Sequence, residues 1–403
     1  MLPSSAISTG FARYIPERGI LLGSIQPVGI RFAPVDSASG GSEDSGPDLG
    51  RVWSNWKKKF LVPLAKGTLV QDPNKHSALS EGSSYGLMIG LSLALSSDDQ
   101  KTFDQILNGL ENYAKKANGL YAWNLSLSGQ VLSSPSATDA DVNVAYCLMQ
   151  ADEMVKSGKW KPPVGKSADY YKKRAQELVA KIWDSEVITR GGKLILKPSD
   201  DRWPEWGDGR FVFNPSYFVP HQLAAIAKLD TNPAHNWKQL ITDGYELMDQ
   251  VLNSSAVLKP KGQNPIPDNV LVAVVNGTFR CESYNKITPD NEFDAIRVLT
   301  EMARAALLDH DPKAIAFLKK LLTKAGADGF WTVKVGGYNN ELAIALYGVG
   351  VKGAGDPAGR LDGYLSQLMK TYHGDYFGYS PNDANDYYKQ SLILLAATLL
   401  FKK

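Results

Sequence analysis

The sequence predicts one large all-α domain, and three observations predict it. Apolar residues recur at three- and four-residue spacing in eleven segments, the period of one face of a helix. Loops rich in Gly, Pro and Asn separate these segments, with no βαβ alternation and no tight repeat. The chain has 403 residues, 43% hydrophobic and 21% charged, a globular composition. Helical pairs set around a ring fit this pattern, and so does an open solenoid.

In chain order, residues 1–50 hold Pro, Ser and Gly in quantity and end in DSASGGSEDSGPDLG. That is linker composition, so residues 51–403 are the expected folded domain and 1–50 a poorly ordered or surface-draped segment. Predicted helices cover 83–96, 102–116, 139–156 and 167–183. In the third of them Val144, Cys147 or Leu148, Ala151 and Val155 line one face. VITRGGKLIL, with a turn signal between two β-prone runs, predicts a short strand pair around 186–197. Helices follow over 216–228, 235–252, 291–308, 312–325, 339–349, 358–371 and 386–401. Between helices lie three aromatic, Gly-rich stretches read as loops: NGLYAWNLSLSG, DDRWPEWGDGRFVFNPSYF and GDYFGYSPNDAND.

Bulk properties exclude several classes. The formal net charge is +2 and the lysine runs are short, so nothing points to nucleic acid. No apolar run reaches the roughly 20 residues of a membrane span, so stable membrane insertion is not expected. Cys147 and Cys281 lack CxxC or Cys/His spacing, and no HExxH occurs, so no metal is expected. One disulfide between the two cysteines stays open. Arg18 precedes GILLGSIQPVGI, but this stretch is short and broken by Gly, Gln and Pro, a poor signal peptide.

Candidate chemistry lies in acids and aromatics. Tyr121, Trp123, Trp203, Trp206, Tyr338, Tyr376 and Tyr379 sit in predicted loops, where flat rings can stack on sugar faces or plug loops onto the core. SEGSSYGLMIGL puts Glu81 at a helix start. PSATDADVNVAYCLMQA does the same for Asp139 and Asp141, and DNEFDAIRV puts Asp294 in the first turns of a third helix. Acids at helix starts are favoured by free N–H groups and the macrodipole, and Thr138 with Asp141 approaches a capping box. Capping alone therefore accounts for each acid taken singly.

Capping does not account for the strings around them. SEGSSYG, LYAW, ATDADVNVAYCLMQA, NPSYF, FDAIR and YYKQSL, in that order over about residues 53–395, resemble glycoside hydrolase family 8, whose members include endoglucanases, lichenases, xylanases and chitosanases. The resemblance implies an (α/α)6 barrel with long aromatic loops and an inverting mechanism, in which one carboxyl protonates the leaving oxygen and another activates water. It implies Glu81 as general acid and Asp294 as general base, with Phe293 where the family motif has Tyr. Asp139 matches a residue that contacts the sugar at the cleavage point. Tyr217 matches a holder of the nucleophilic water, and Trp123 a sugar platform. Arg297, three residues after Asp294, is placed to orient the base and keep it ionised. Asp141, Tyr338 and Trp203 complete the expected substrate-binding set.

A helix start favours the charged form of Glu81, so it holds a proton only if Asp139 or burial offsets that position. The expected substrate is a cellulose-like β-glucan, with a chitosanase, lichenase or xylanase as the alternative within the family. A carbohydrate-binding protein without catalysis is the alternative from another class. The expected enzyme is a monomer that needs no cofactor and works outside the cytoplasm, secreted or periplasmic.

Overall fold

The computed structural model describes residues 46–94, 96–201, 205, 207–257, 265–284, 294–325 and 340–401. Chain contacts divide after Gly46, and Pro47 onward forms one compact unit. Helix α1 (Leu49–Phe60) thus begins inside the expected linker. Asp48 caps it by accepting from the Arg51 amide, and Val52, Trp53, Trp56 and Phe60 form its buried stripe.

Five short strands frame the next helices: β1 (Leu61–Leu64), β2 (Gly67–Asp72), β3 (Ser77–Leu79), β4 (Ala122–Ser126) and β5 (Val131–Ser136), antiparallel in that spatial order. The stretch NGLYAWNLSLSG is therefore not simply a loop, since it contains β4. Helix α2 (Ser80–Leu93) follows β3 directly. Helix α3 (Ser97–Gly109) starts with a Ser96–Asp99 capping box and runs into one π turn, Leu110–Ala114. Gly109 has no Cβ because one would stand 2.1 Å from the Thr68 carbonyl oxygen, so helix and strand backbones touch there.

Then come α4 (Thr138–Lys156) and α5 (Tyr170–Glu186), followed by the predicted hairpin, β6 (Val187–Arg190) and β7 (Lys193–Leu196). Strand β8 (Phe211–Phe213) pairs with β9 (Val270–Val275), which pairs with β10 (Thr278–Ser283). The expected helix over 216–228 is a 3₁₀ turn, Pro215–Tyr217, followed by α6 (Pro220–Leu229), which opens with proline at its first position. The remaining helices are α7 (Trp237–Asn253), α8 (Arg297–Leu308), α9 (Pro312–Ala325), α10 (Asn340–Gly353), α11 (Leu361–Lys370) and α12 (Tyr387–Leu400). The described residues thus hold twelve α-helices and three small sheets, not eleven helices and one hairpin.

Packing gives these helices an order. Helix α2 packs on α4, α4 on α6, α6 on α8, α8 on α10, α10 on α12, and α12 back on α2. The odd-numbered helices cover this ring, each against an even-numbered neighbour in sequence. Burial follows the same division. Helix α12 buries thirteen of its fourteen residues, all but Leu399, and α8 buries Arg297 through Ala306, while α5 and α7 bury one stripe each. Cys147 and Cys281 are both buried, and no disulfide joins them.

Candidate active site

The first turns of the even-numbered helices meet at one end of the ring. Glu81 lies in the first turn of α2, Asp139 in that of α4, Arg297 starts α8 and Tyr387 starts α12. The 3₁₀ turn before α6 brings Asn214, Ser216 and Tyr217. At α10, buried Glu341 accepts from Lys389 Nζ of α12 at 2.9 Å, and Asp383 Oδ1 accepts from the same ammonium at 2.7 Å.

Arg297 is the hub. Its Nη1 lies 3.0 Å from Glu81 Oε2 and 2.6 Å from Asp139 Oδ2, and its Nη2 lies 3.0 Å from Asp294 Oδ1. Nη1 also donates to the Tyr85 hydroxyl at 2.9 Å, and Nη2 to Ser216 Oγ at 2.9 Å. Its guanidinium carbon sits 5.3 Å from the Tyr217 ring centroid, a cation–π distance. One planar fork therefore ties three carboxylates from three elements to one point, which a lysine ammonium does not do in this geometry.

Local sequence explains the reach of each group. Gly82 follows Glu81 because a Cβ there would stand 3.0 Å from the Tyr387 ring and 3.2 Å from Val70. The ring lies over the first turn of α2, and its hydroxyl donates to Glu81 Oε1 at 2.9 Å. Glu81 makes no side-chain cap for α2, whose cap position is Leu79. Asp139 accepts from the Ala140 amide through Oδ1 at 2.8 Å while Oδ2 faces Arg297. Asp294 does not lie in the first turns of a helix as expected. Helix α8 begins at Arg297, because Asp268 Oδ1 takes the amides of Asp294 and Ala295 at 3.0 and 2.7 Å and holds the preceding turn.

The three carboxylates differ in access and in charge. The Asp294 side chain keeps 16% of its surface, that of Asp139 only 3%, so an incoming water has access to the former. Burial pushes the Asp139 carboxyl up to about 7; Arg297 pulls it down, while Glu81 and Asp294 push it up. Burial likewise raises the hydroxyls of Tyr85, Tyr217 and Tyr388 well above the ordinary range, so all three are neutral near pH 7. Burial works against the Arg297 charge, but the carboxylates of Asp294 and Asp139 beside it hold the guanidinium protonated.

Of the residues the sequence singled out, Glu81, Asp139, Asp294, Arg297 and Tyr217 come together here. Asp141 does not join them. It is buried, accepts from the Tyr121 amide at 3.1 Å, and faces the Glu186 carboxyl. Burial pushes both carboxyls up, that of Glu186 to about 7. No capping box forms at Thr138, because the cap position of α4 is Ala137. Trp123 is half-buried on β4, and Tyr121 is fully buried with its hydroxyl on Glu111, so the latter plugs onto the core. Trp203, Trp206 and Tyr338 lie outside the described residues. Sequence reading missed Tyr85, Asn214, Ser216, Asp268 and Tyr387. The motifs SEGSSYG, NPSYF and YYKQSL contain four of these five, which is the one signal that could have found them.

Among the described residues, no group of three His, Cys, Asp or Glu side chains is arranged to hold a metal ion, and the guanidinium fills the space between the three carboxylates. Separate carboxyls on facing elements, held at the end of a helical ring, are an arrangement of the kind glycosidases use. The family model of glycosyl hydrolases family 8 matches residues 33–399, and the chain belongs to that family. It is a glycoside hydrolase. Endoglucanase A of Acetivibrio thermocellus is 26% identical over 385 residues, covering 92% of this chain and 72% of the relative. An endoglucanase of Escherichia coli O157:H7 is 29% identical over 278 residues, covering 67% of this chain and 66% of the relative. Among solved structures, a beta-1,3-1,4-glucanase from Paenibacillus sp. X4 superposes with a TM-score of 0.69 at 19% identity, covering 87% of this chain and 90% of that one. A reducing-end-xylose releasing exo-oligoxylanase superposes with a TM-score of 0.64 at 17% identity, covering 90% and 93%. These two likenesses concern the fold.

Proposed function

We propose that the chain is an inverting endo-β-1,4-glucanase acting on cellulose-like β-glucan, with Glu81 as general acid and Asp294 as general base. The observation that carries this is the Arg297 fork, which holds both carboxylates on opposite nitrogens. Two contacts of 3.0 Å plus the span of the fork put a ceiling of roughly 8 Å on the distance between those two oxygens, which leaves room for the roughly 6.5–9.5 Å separation of an inverting pair. The ring of six helices, each with an outer partner, supports an (α/α)6 barrel. The endoglucanase relatives favour β-glucan over xylan or chitosan. A polymer substrate places the enzyme outside the cytoplasm.

Protons follow from donor and acceptor types. Arg297 Nη1 can only donate, so a proton on Glu81 sits on Oε1, where the Tyr387 hydroxyl can turn to accept it. From there it passes to the leaving glycosidic oxygen as that bond breaks. Water attacks from the opposite face and gives its proton to Asp294. Charge leaves one carboxyl as it arrives at the other, and Arg297 contacts both, so the fork sees a constant net charge through the step. Asp139 adds a negative group where oxocarbenium charge develops.

The test is reducing-end release from carboxymethyl-cellulose, mixed-linkage glucan, xylan and chitosan, with Glu81→Gln as control and product anomers read by NMR. Inverted product from the cellulose derivative and an inactive Glu81→Gln are expected. Retained configuration, or wild-type activity in Glu81→Gln, overturns the assignment. Preference for xylan or chitosan overturns the substrate.

A further inference from the structure

Asn214 has no part in the steps above, yet it touches the base. The orientation of its amide is fixed by the Ser216 backbone. Oδ1 accepts from Ser216 N–H at 3.0 Å and from Ser216 Oγ at 2.8 Å. A backbone N–H can only donate, so that end is oxygen, and Nδ2 is the end facing Asp294 Oδ2 at 2.9 Å. Ser216 Oγ in turn accepts from Arg297 Nη2, which pairs with Asp294 Oδ1. Four side chains thus close a ring. Asn214, Ser216 and Arg297 are 4%, 2% and 3% exposed, so bulk water does not replace these contacts.

We propose that Asn214, braced by Ser216, is a positioning residue of the base: its amide and the Arg297 fork hold the two oxygens of Asp294 from two sides, fixing the carboxylate plane and favouring its charged form. The proposal rests on Asp294 being the base. Oδ2 then spends one lone pair on the Asn214 amide and offers the other to the attacking water, while Oδ1 faces the Arg297 charge. The groups around Asp294 pull both ways. Arg297 of α8 and Asn214 favour the carboxylate. Asp139 of α4, Glu81 of α2 and Asp268 before β9 are acidic, and Tyr217 and Tyr388 of α12 are neutral neighbours. Three acids against one guanidinium leave the neutral donor with a share that matters.

Asn214→Asp is the discriminating variant, because it is isosteric. It keeps an oxygen for Ser216 and turns the donor facing Asp294 into an acceptor. A purely structural Asn214 shows the change in melting alone. A positioning Asn214 shows it in turnover: kcat falls by roughly 10²-fold, KM changes little, and the acidic limb of the kcat/KM profile moves up by about one pH unit or more. Ser216→Ala moves the limb the same way by less, and it serves if Asn214→Asp does not fold, as read by melting and near-ultraviolet circular dichroism. An unmoved acidic limb in Asn214→Asp, or in Ser216→Ala where the former is unfolded, overturns the proposal. Asp294→Ala with added azide separates the two readings. Wild-type turnover in Asp294→Ala removes the base assignment and the proposal with it. An inactive Asp294→Ala rescued by azide, beside an unmoved limb in Asn214→Asp, leaves the base and removes the proposal alone.

Discussion

Replacing Arg297 with Met keeps the stem and removes the charge that three carboxylates share. In the native protein the fork lies within 3.0 Å of Glu81, Asp139 and Asp294, and its own side chain is 3% exposed. Removing one partner of a buried ion pair costs about 3–5 kcal/mol, since the remaining charge is stranded. Here three charges are stranded, but they can relax by taking up protons, each pKa unit of upward shift being worth about 1.4 kcal/mol. The deficit therefore depends on pH. A carboxyl that binds its proton more tightly folded than unfolded loses stability as pH rises from its unfolded value through its folded one. Asp139, pushed by burial from 3.8 to about 7, already behaves so, and Arg297→Met extends that window upward. At pH 8 the deficit should be about 3–5 kcal/mol. At pH 5 the carboxyls hold protons, and what is lost shrinks to the hydrogen bonds to Tyr85 and Ser216 and the Tyr217 contact, about 1–2 kcal/mol. Guanidinium chloride unfolding at both pH values measures it. Equal deficits at pH 5 and pH 8, or a deficit under about 1 kcal/mol at pH 8, would refute the shared-charge account.

Three further outcomes follow from the same geometry. Asp139→Asn removes a carboxyl that burial makes costly to ionise, so its stability relative to the wild type should be better at pH 8 than at pH 5, and the basic limb of activity should move down; unfolding curves and a pH profile read the two effects. Tyr387→Phe deletes the hydroxyl on Glu81 Oε1 and should lower kcat by about 10- to 100-fold with KM nearly unchanged, while unchanged kcat removes Tyr387 from the acid's surroundings. Gly82→Ala pushes a methyl against the Tyr387 ring at 3.0 Å, so it should cost about 1–3 kcal/mol and lower kcat in the same sense, checked by melting and turnover together.

The sequence was most legible where its motifs are longest and least legible where contacts join distant, isolated polar residues. The helical period is plain in outer helices such as α7, which bury one stripe, whereas α12 is buried for almost its whole length and reads as apolar nearly all round. The five-stranded sheet was not visible for a specific reason. Its two edge strands, β1 and β5, carry Pro63 and Pro135, and proline inside a short run argues against a strand unless the run is an edge, which local pattern does not reveal. Helix α1 was hidden because its cap, Asp48, ends a Pro- and Gly-rich stretch, although Trp53, Trp56 and Phe60 carry the helical spacing. Tyr387 meets Glu81 across 306 positions and Asn214 meets Asp294 across 80, so nothing near either residue announces its partner.

Helix starts were where local reasoning was most exposed to error, since an acid there always has a capping explanation. The geometry separates the cases atom by atom. Glu81 spends its oxygens on Tyr387 and Arg297 and caps nothing. Asp294 stands before its helix, where Asp268 holds its amide and that of Ala295. Asp139 divides its oxygens between a helix amide and the fork. Asp141, two residues on, turns away to hold the Tyr121 amide. Four acids of the same local type thus have four different jobs. What distinguishes them is whether an oxygen reaches Arg297, a residue that itself lies at a helix start and that the sequence tied to only one of the three carboxylates it holds.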